Sequence, residues 1–314
     1  MRVVVTGGVG FVGKELVQQL STQADVVVAD LLRYGEPGEW LKAHDFRRVD
    51  IRDPQAIGAL IADVRPDVVV HLAAIHYIPE CDADPVNAVA TNVAGTVNTL
   101  AACPEGTRFV FASSGAVYQP DEAPHREYES TLGPADIYGI TKLQGEDYVR
   151  AFSRNRGLPS VIVRLFNVIG PGETNPHLLP AIVTQLQNGV DTIELGNTWP
   201  KRDYIDVLDA AGGFAAAALG TNPHGLDCAV VNLGSGQQYS VDEMLARMRA
   251  VLGVTLDVRQ DPRRMRAVDR PFLGADITRI RELFGWSPAH SLDETLQRTW
   301  ADPAFYPGMQ GRLS

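Results

Sequence analysis

Val3-Val4-Val5 is an unbroken run of β-branched residues, set between Arg2 and a cluster of glycines, and it reads as a buried strand over Arg2–Thr6. Comparable apolar runs return at Val26–Asp30, Phe46–Val49, Asp67–Leu72, Arg108–Ser113 and Ser160–Leu165. Between them the apolar positions fall at helical spacing, over Val12–Leu20, Pro54–Val64, Pro85–Ala102 and Tyr138–Arg154. Strand alternating with helix predicts an α/β chain built on a doubly wound parallel sheet. Ligands on such sheets bind beyond the carboxyl ends of the strands, so the residues just after each strand carry the most weight.

The first strand runs straight into Gly7-Gly8-Val9-Gly10-Phe11-Val12-Gly13 and then a helix. That is the order a dinucleotide site needs. Gly7 permits a tight turn, Gly10 lets the backbone approach a pyrophosphate, and Gly13 lets the helix pack close to the strand. The helix start at Phe11 and Val12 supplies N–H donors to the phosphate. Asp30 ends the second strand, where a carboxylate can hold the adenosine ribose 2′-hydroxyl, which favours NAD over NADP. Arg33 nearby keeps NADP open as an alternative. Asp50 is placed either to accept from the adenine amino group or to cap the helix that begins at Pro54. Ala73 and Ala74 are small where backbone can touch a cofactor, or where a strand end packs tightly. His71 lies within an apolar strand and reads as a core histidine with satisfied hydrogen bonds.

The strongest chemical signal is Tyr138-Gly139-Ile140-Thr141-Lys142. Residues i and i+4 share one helix face. A lysine cation beside a phenol favours the phenolate, making Tyr138 a general base or acid toward a hydroxyl or carbonyl. Lys142 can also hold the nicotinamide ribose. The plainer alternative is an exposed helix pair worth a few tenths of a kcal/mol. Ser114 lies just past a strand end, where its hydroxyl can steady charge on a substrate oxygen. With the glycine turn and Asp30 in the same chain order, the functional reading of Ser114, Tyr138 and Lys142 prevails.

Composition narrows the setting. The chain has 314 residues and is 45% hydrophobic, enough for a sizeable core. A formal net charge of −10 argues against nonspecific nucleic-acid binding. Three cysteines, Cys81, Cys103 and Cys228, have neither metal spacing nor an even count, so no metal site is expected and a reducing, cytoplasmic compartment is. No targeting signal and no membrane span is expected; the alanine-rich Ala210–Leu219 is short and follows Asp206 and Asp209.

Taken together, the motifs resemble the extended short-chain dehydrogenase/reductase family, in its NAD-dependent nucleotide-sugar epimerase branch, that of the UDP-glucose and UDP-glucuronate 4-epimerases. Thr6-Gly7-Gly8-x-Gly10-Phe11-Val12-Gly13, Asp30, Asp50-x-Arg52-Asp53 and His71-Leu72-Ala73-Ala74 match in order. So do Asn92-Val93-x-Gly95-Thr96, Ser113-Ser114-x-Ala116-Val117-Tyr118, Tyr138-x3-Lys142 and Arg164-x-Phe166-Asn167-Val168-x-Gly170-Pro171-Gly172. Arg202-Asp203-Tyr204-Ile205, Asn232-Leu233-Gly234-Ser235-Gly236, Arg266-x-x-Asp269 and Phe284-Gly285-Trp286-x-Pro288 complete the series.

The resemblance implies a Rossmann domain binding NAD, over 1–167 plus about 202–225, and a smaller α/β lobe binding a nucleoside-diphosphate sugar, over about 168–201 and 226–314. It sets Ile51, Leu72, Thr91 and Phe166 along the cofactor beside the residues already named. It sets Asn167, Leu178, Arg202, Arg266 and Asp269 on the substrate with Ser114 and Tyr138; His76, in a stretch that departs from the family pattern, either borders the sugar and marks an uncommon one or is a packing variant. Arg202 and Arg266 would grip the pyrophosphate, for which a guanidinium is well shaped, and Asp269 would fix the nucleotide ribose. A homodimer through the helices near Pro85–Ala102 and Tyr138–Arg154 is implied as well.

The same resemblance separates the reactions. The 4,6-dehydratases carry a Thr-Asp-Glu pattern where this chain has Ser114-Gly115-Ala116, and the decarboxylases place a glutamate at the Ala116 position. Gly115 and Ala116 have no proton to exchange. Oxidation at C4, rotation of the keto sugar and hydride return to the other face remain, which is a C4 epimerase. A 4-ketoreductase using NADH or NADPH is the runner-up and a 4,6-dehydratase comes last; a noncatalytic nucleotide sensor has no need of the tuned phenol. Three stretches depart from the family pattern: Gln119, Ile75–Cys81 and Gly196–Lys201.

Overall fold

The computed structural model describes residues 1–33, 38–173, 175, 177–190, 192–221, 227–262 and 271–302. The N-terminal strands are β1 (Arg2–Thr6), β2 (Asp25–Asp30), β3 (Asp45–Arg48), β4 (Val68–His71), β5 (Arg108–Ser114) and β6 (Ser160–Leu165). The smaller strands that follow are β7 (Asn167–Ile169), β8 (Thr192–Leu195) and β9 (Lys201–Asp206). Then come β10 (Cys228–Leu233), β11 (Gln238–Ser240), β12 (Asp257–Gln260) and β13 (Phe272–Leu273). The principal sheet has seven strands in the order β10-β6-β5-β4-β1-β2-β3. Every pairing in it is parallel. The order reverses between β1 and β4, which opens the crevice that doubly wound sheets use for a dinucleotide.

Side chains alternate across a strand, and here both faces are covered, which is why β1 reads as continuous valine. Val3 and Val5 face Leu16 and Val17 of α1 (Phe11–Leu20) and Phe214 of α8 (Val207–Leu219). Val4 faces Ile57 and Leu60 of α2 (Pro54–Val64), Leu100 of α5 (Gly95–Ala102) and Val149 of α6 (Ile137–Arg156). The other helices are α3 (Ile78–Ala83), α4 (Pro85–Val89), α7 (Leu178–Gln187), α9 (Val241–Leu252), α10 (Thr278–Phe284) and α11 (Leu292–Ala301). The single helix expected over Pro85–Ala102 is interrupted by a π turn over Ala90–Ala94. Such bulges gather at functional sites, and this one carries Thr91 and Asn92. Among the described residues no helix is long and apolar enough to cross a membrane.

A second unit pairs β7 with β9 beside β11-β9-β13, and sets β12 against β8. Helices α7, α9 and α11 close its own apolar cluster around Ile182, Met244 and Leu296. The division expected from the sequence therefore needs correction. β10 lies in the large sheet, registered Cys228↔Ser160 on β6, and not in the smaller lobe. Its Ala229-Val230-Val231 run is buried on both faces, as a parallel strand requires. β9, expected within the Rossmann domain, is the centre of the small sheet.

Candidate active site

The glycine turn after β1 is built for close approach. Gly7 sits at φ +70°, and a Cβ there would lie 2.7 Å from the backbone nitrogen of Ala73. A Cβ on Gly13 would collide with the Gly7 carbonyl. Gly10 precedes α1 in extended conformation with no side-chain cap among the described residues, so Phe11, Val12 and Gly13 begin the helix with N–H groups that have no intrahelical acceptor. The Asp30 carboxylate accepts from Val9 N (3.1 Å) and Leu32 N (2.8 Å), which fixes it at the rim of this turn. Ile51 is buried against Gly95, where a Cβ would stand 2.7 Å from its Cδ1. Leu72, Ala73 and Ala74 follow β4, half-buried along the same edge.

Of the two roles open to Asp50, the cap belongs to its neighbour: Asp53 accepts from Gln55 N (2.8 Å) and Ala56 N (3.3 Å). Asp50 instead takes the Arg52 guanidinium, with Nη2 at 2.6 Å, and this hydrogen-bonded pairing holds its carboxyl below the usual range. His71 is the core histidine expected. Thr96 Oγ1 donates to the Asn92 carbonyl (2.7 Å) and so accepts from His71 Nε2 (3.1 Å), leaving Nδ1 to accept from Thr6 Oγ1 (2.8 Å). Burial pushes its pKa down to about 3, and the Lys142 charge adds to that.

The three proposed chemical groups do meet. Asp136 caps α6 through Gly139 N (2.7 Å), which starts the helix one residue before Tyr138. Ser114 ends β5, accepts from Ala116 N (3.1 Å) and hydrogen-bonds the Tyr138 phenol. Lys142 is only 3% exposed. Its Nζ donates to the Ala112 carbonyl (2.8 Å) and stands 5.8 Å from the centroid of the Tyr138 ring. Burial lowers the Lys142 pKa to about 8. The expectation that Lys142 lowers the tyrosine pKa does not hold in this state. Desolvation pushes Tyr138 above its ordinary value, and the Ser114 hydrogen bond only partly opposes it.

Three residues that received no role in the sequence reading support the site and its surroundings. Glu146, two turns beyond Tyr138 and buried, accepts from Ser113 Oγ (2.6 Å) and from Arg164 Nε and Nη2 (2.8 Å each). Arg164 also donates to Tyr118 OH at 2.9 Å. Tyr138, Lys142 and Glu146 thus share one face of α6 and engage Ser114, Ala112 and Ser113 of β5 in turn. Asn92 binds Ile75 through both N (2.8 Å) and O (2.8 Å), and reaches Thr141 Oγ1 on α6 at 3.0 Å. Asp203, beside Arg202, accepts from Ser235 N (2.6 Å) and Gly236 N (2.8 Å), tying the end of β10 to the small sheet. Burial raises its pKa to about 6 against those bonds. The readable signals were the i+4 continuation of Tyr-x3-Lys to Glu146 and an acid wedged between Arg202 and the apolar Tyr204-Ile205.

The substrate-side residues fall around the second unit. Asn167 is exposed on β7, registered against Tyr204 of β9, and Arg202 lies on β9, its Nη1 donating to the Lys201 carbonyl at 2.9 Å. Leu178 opens α7. His76 meets Asn175 (2.6 Å), and the His177 ring lies 6.1 Å from His76 and 5.6 Å from Tyr77. Phe166, expected along the cofactor, is buried with its ring edge 3.1 Å from where a Gly115 Cβ would stand, because it fills the floor under the Ser114 turn. Arg266 and Asp269 lie outside the described residues. Among the described residues no group of three His, Cys, Asp or Glu side chains is arranged to hold a metal ion.

The model of the NAD dependent epimerase/dehydratase family matches residues 3–234. The GDP-6-deoxy-D-mannose reductase of Pseudomonas aeruginosa is 30% identical over 312 residues, covering 96% of either chain. The UDP-glucose 4-epimerase of Lactobacillus helveticus is 30% identical over 324 residues, again covering 96% of each. Among solved structures, the UDP-glucose 4-epimerase of Brucella ovis in complex with NAD superposes with a TM-score of 0.88 at 29% identity, covering 97% of this chain and 98% of that one. The UDP-glucuronic acid 4-epimerase of Bacillus cereus, in complex with UDP-glucuronic acid and NAD, gives 0.83 at 26% identity, covering 96% and 98%.

Proposed function

The chain belongs to the NAD-dependent epimerase/dehydratase family, and from that premise we propose that it is a C4 epimerase of a nucleoside-diphosphate sugar. The observation that carries this reading is the Ser114–Tyr138 pair beside Lys142, followed by Gly115 and Ala116, which have nothing to offer an elimination. The groove fits NAD: Gly7 and Gly13 let β1, the segment after β4 and α1 pack with no Cβ between them, which seats the start of α1 at the glycine turn, and Asp30 is fixed at the position for a ribose diol. NAD, when bound, supplies an acceptor that takes hydride from the sugar carbon and gives it back.

Tyr138, as the phenolate that the positive charge of Lys142 would favour once cofactor and substrate are bound, takes the proton of the C4 hydroxyl as that carbon is oxidised. Ser114 donates to the same oxygen while its Oγ accepts from Ala116 N–H. Lys142, held by the Ala112 carbonyl, keeps a positive charge at the phenol ring and reaches the nicotinamide ribose. The keto sugar turns over, and Tyr138 returns the proton when the opposite face is reduced. Thr91 on the π turn completes the cofactor wall, while Asn167, Arg202 and Arg266 bind the diphosphate, Asp269 holds the nucleotide ribose and Leu178 lines the substrate. Val86 and Val89 on α4 and Ile140 and Tyr148 on α6 are exposed, which supports a homodimer through these helices.

One observation favours a second reading. The Pseudomonas reductase matches over as much of the chain as the epimerases do, so reduction of a 4-keto sugar nucleotide by NADH or NADPH is the alternative. Proton NMR of the protein with UDP-glucose, UDP-N-acetylglucosamine and UDP-glucuronate, with no cofactor added, tests the choice. A C4 epimer without net nicotinamide reduction supports the epimerase; unchanged sugars, with consumption of NADH or NADPH on a 4-keto sugar nucleotide, support the reductase.

A further inference from the structure

Arg33 is the cation that leaves NADP open on sequence grounds, since an arginine just past the acid of β2 can hold a 2′-phosphate. In the structure it is already engaged. Arg33 forms an ion pair with Glu80, in the first turn of α3. β1 lies between β2 and β4 in the sheet, so a contact from the segment after β2 to the helix after β4 crosses over the glycine turn that follows β1.

Both ends of this contact are anchored. The Asp30 carboxylate accepts Leu32 N–H, Leu32 takes φ +54°, and Arg48 Nε donates to the Leu31 carbonyl at 3.3 Å. A leucine in the left-handed region costs about 1–3 kcal/mol, so these contacts hold the turn that brings Arg33 back over the groove. At the other end Cys81 is fully buried and its Sγ donates to the Ile75 carbonyl, which fixes α3 with Glu80 partly exposed on its outer side.

We propose that Glu80 is a cofactor-specificity residue: it holds Arg33 across the glycine turn and so withholds the guanidinium that a 2′-phosphate beside Asp30 would need. The site then prefers NAD for two reasons, repulsion by Asp30 and sequestration of Arg33. The inference rests on the reading of this groove as a dinucleotide site.

The test uses the full chain loaded with NADH, whose fluorescence is displaced by NAD or by NADP, in wild type, Glu80→Gln, Arg33→Gln and the double variant. The quantity read is the ratio of NADP to NAD needed for displacement. Glu80→Gln should lower that ratio about two- to fivefold, the range of an exposed ion pair. Arg33→Gln alone should leave it within about twofold of wild type, and the double variant should return it to wild type. An unchanged ratio in Glu80→Gln overturns the proposal. So does a gain that persists in the double variant, because Glu80 would then act by its charge alone. Failure of all four proteins to bind NADH would overturn the groove reading and this inference together.

Discussion

Two helical glycines, Gly139 in the first turn of α6 and Gly58 inside α2, should respond oppositely to alanine, and the contrast tests how tightly α6 is seated. A Cβ on Gly139 would lie 2.7 Å from the Ala116 carbonyl and 2.9 Å from Pro134 Cβ. Ordinary contact begins at 3.4 Å, so the start of α6 must move by about 0.7 Å. Alanine gains at most about 1 kcal/mol in helix propensity, but overpacking costs about 1–3 kcal/mol. The net for Gly139→Ala is a loss of up to about 2 kcal/mol. The displaced residue adjoins Tyr138, and a misplacement of 1 Å can cost about a hundredfold in rate. Turnover should therefore fall about tenfold or more. Gly58, inside α2, has nothing within 4 Å of its Cβ direction. Gly58→Ala should gain about 0.5–1 kcal/mol and leave turnover unchanged. Urea unfolding gives the stabilities, and epimer formation the rates. Wild-type stability and rate in Gly139→Ala, or a loss in Gly58→Ala, would refute the reasoning.

Tyr138→Phe should reduce turnover by about 10²–10⁴-fold while thermal stability and NADH binding persist; retained turnover would exclude the phenol as acid and base. Glu146→Ala strips the buried Arg164 of its carboxylate and should cost about 3–5 kcal/mol in denaturant unfolding, more than Glu146→Gln. His71 has a folded pKa near 3 against 6.5 when free, so the folded state binds fewer protons than the unfolded. Its contribution is intact above pH 6.5 and is lost progressively as pH falls from 6.5 toward 3, reaching about 5 kcal/mol at the low end. Urea midpoints from pH 7.5 to 4 should fall less steeply in His71→Gln than in wild type.

The six N-terminal strands and most of their helices were legible because each is a local pattern: β-branched runs, helical spacing, a proline after an acid. β10 was not assigned to the large sheet because its pairing with β6 joins residues about 70 positions apart, which no local period encodes. The π turn at Ala90–Ala94 keeps a helical apolar pattern and so reads as unbroken helix. In the site, Ser114, Tyr138 and Lys142 were visible as motifs. What the spacing could not give was the balance of forces on them: it pointed to a lowered tyrosine pKa, whereas burial raises it and the Ser114 hydrogen bond only partly opposes that. Glu146 and Asp203 were missed for a related reason. A charged residue in a sequence reads as solvated, and only the fold reveals that both are buried among donors.

The central claim is that one hydride leaves C4 and comes back to the same carbon. The most direct measurement incubates the protein with UDP-glucose, UDP-N-acetylglucosamine and UDP-glucuronate, each deuterated at C4, and reads the position of the label by NMR and mass spectrometry. Deuterium retained at C4 of an epimer, with no net change in nicotinamide, is the predicted result. An epimer that has exchanged its deuterium for solvent hydrogen would contradict the account.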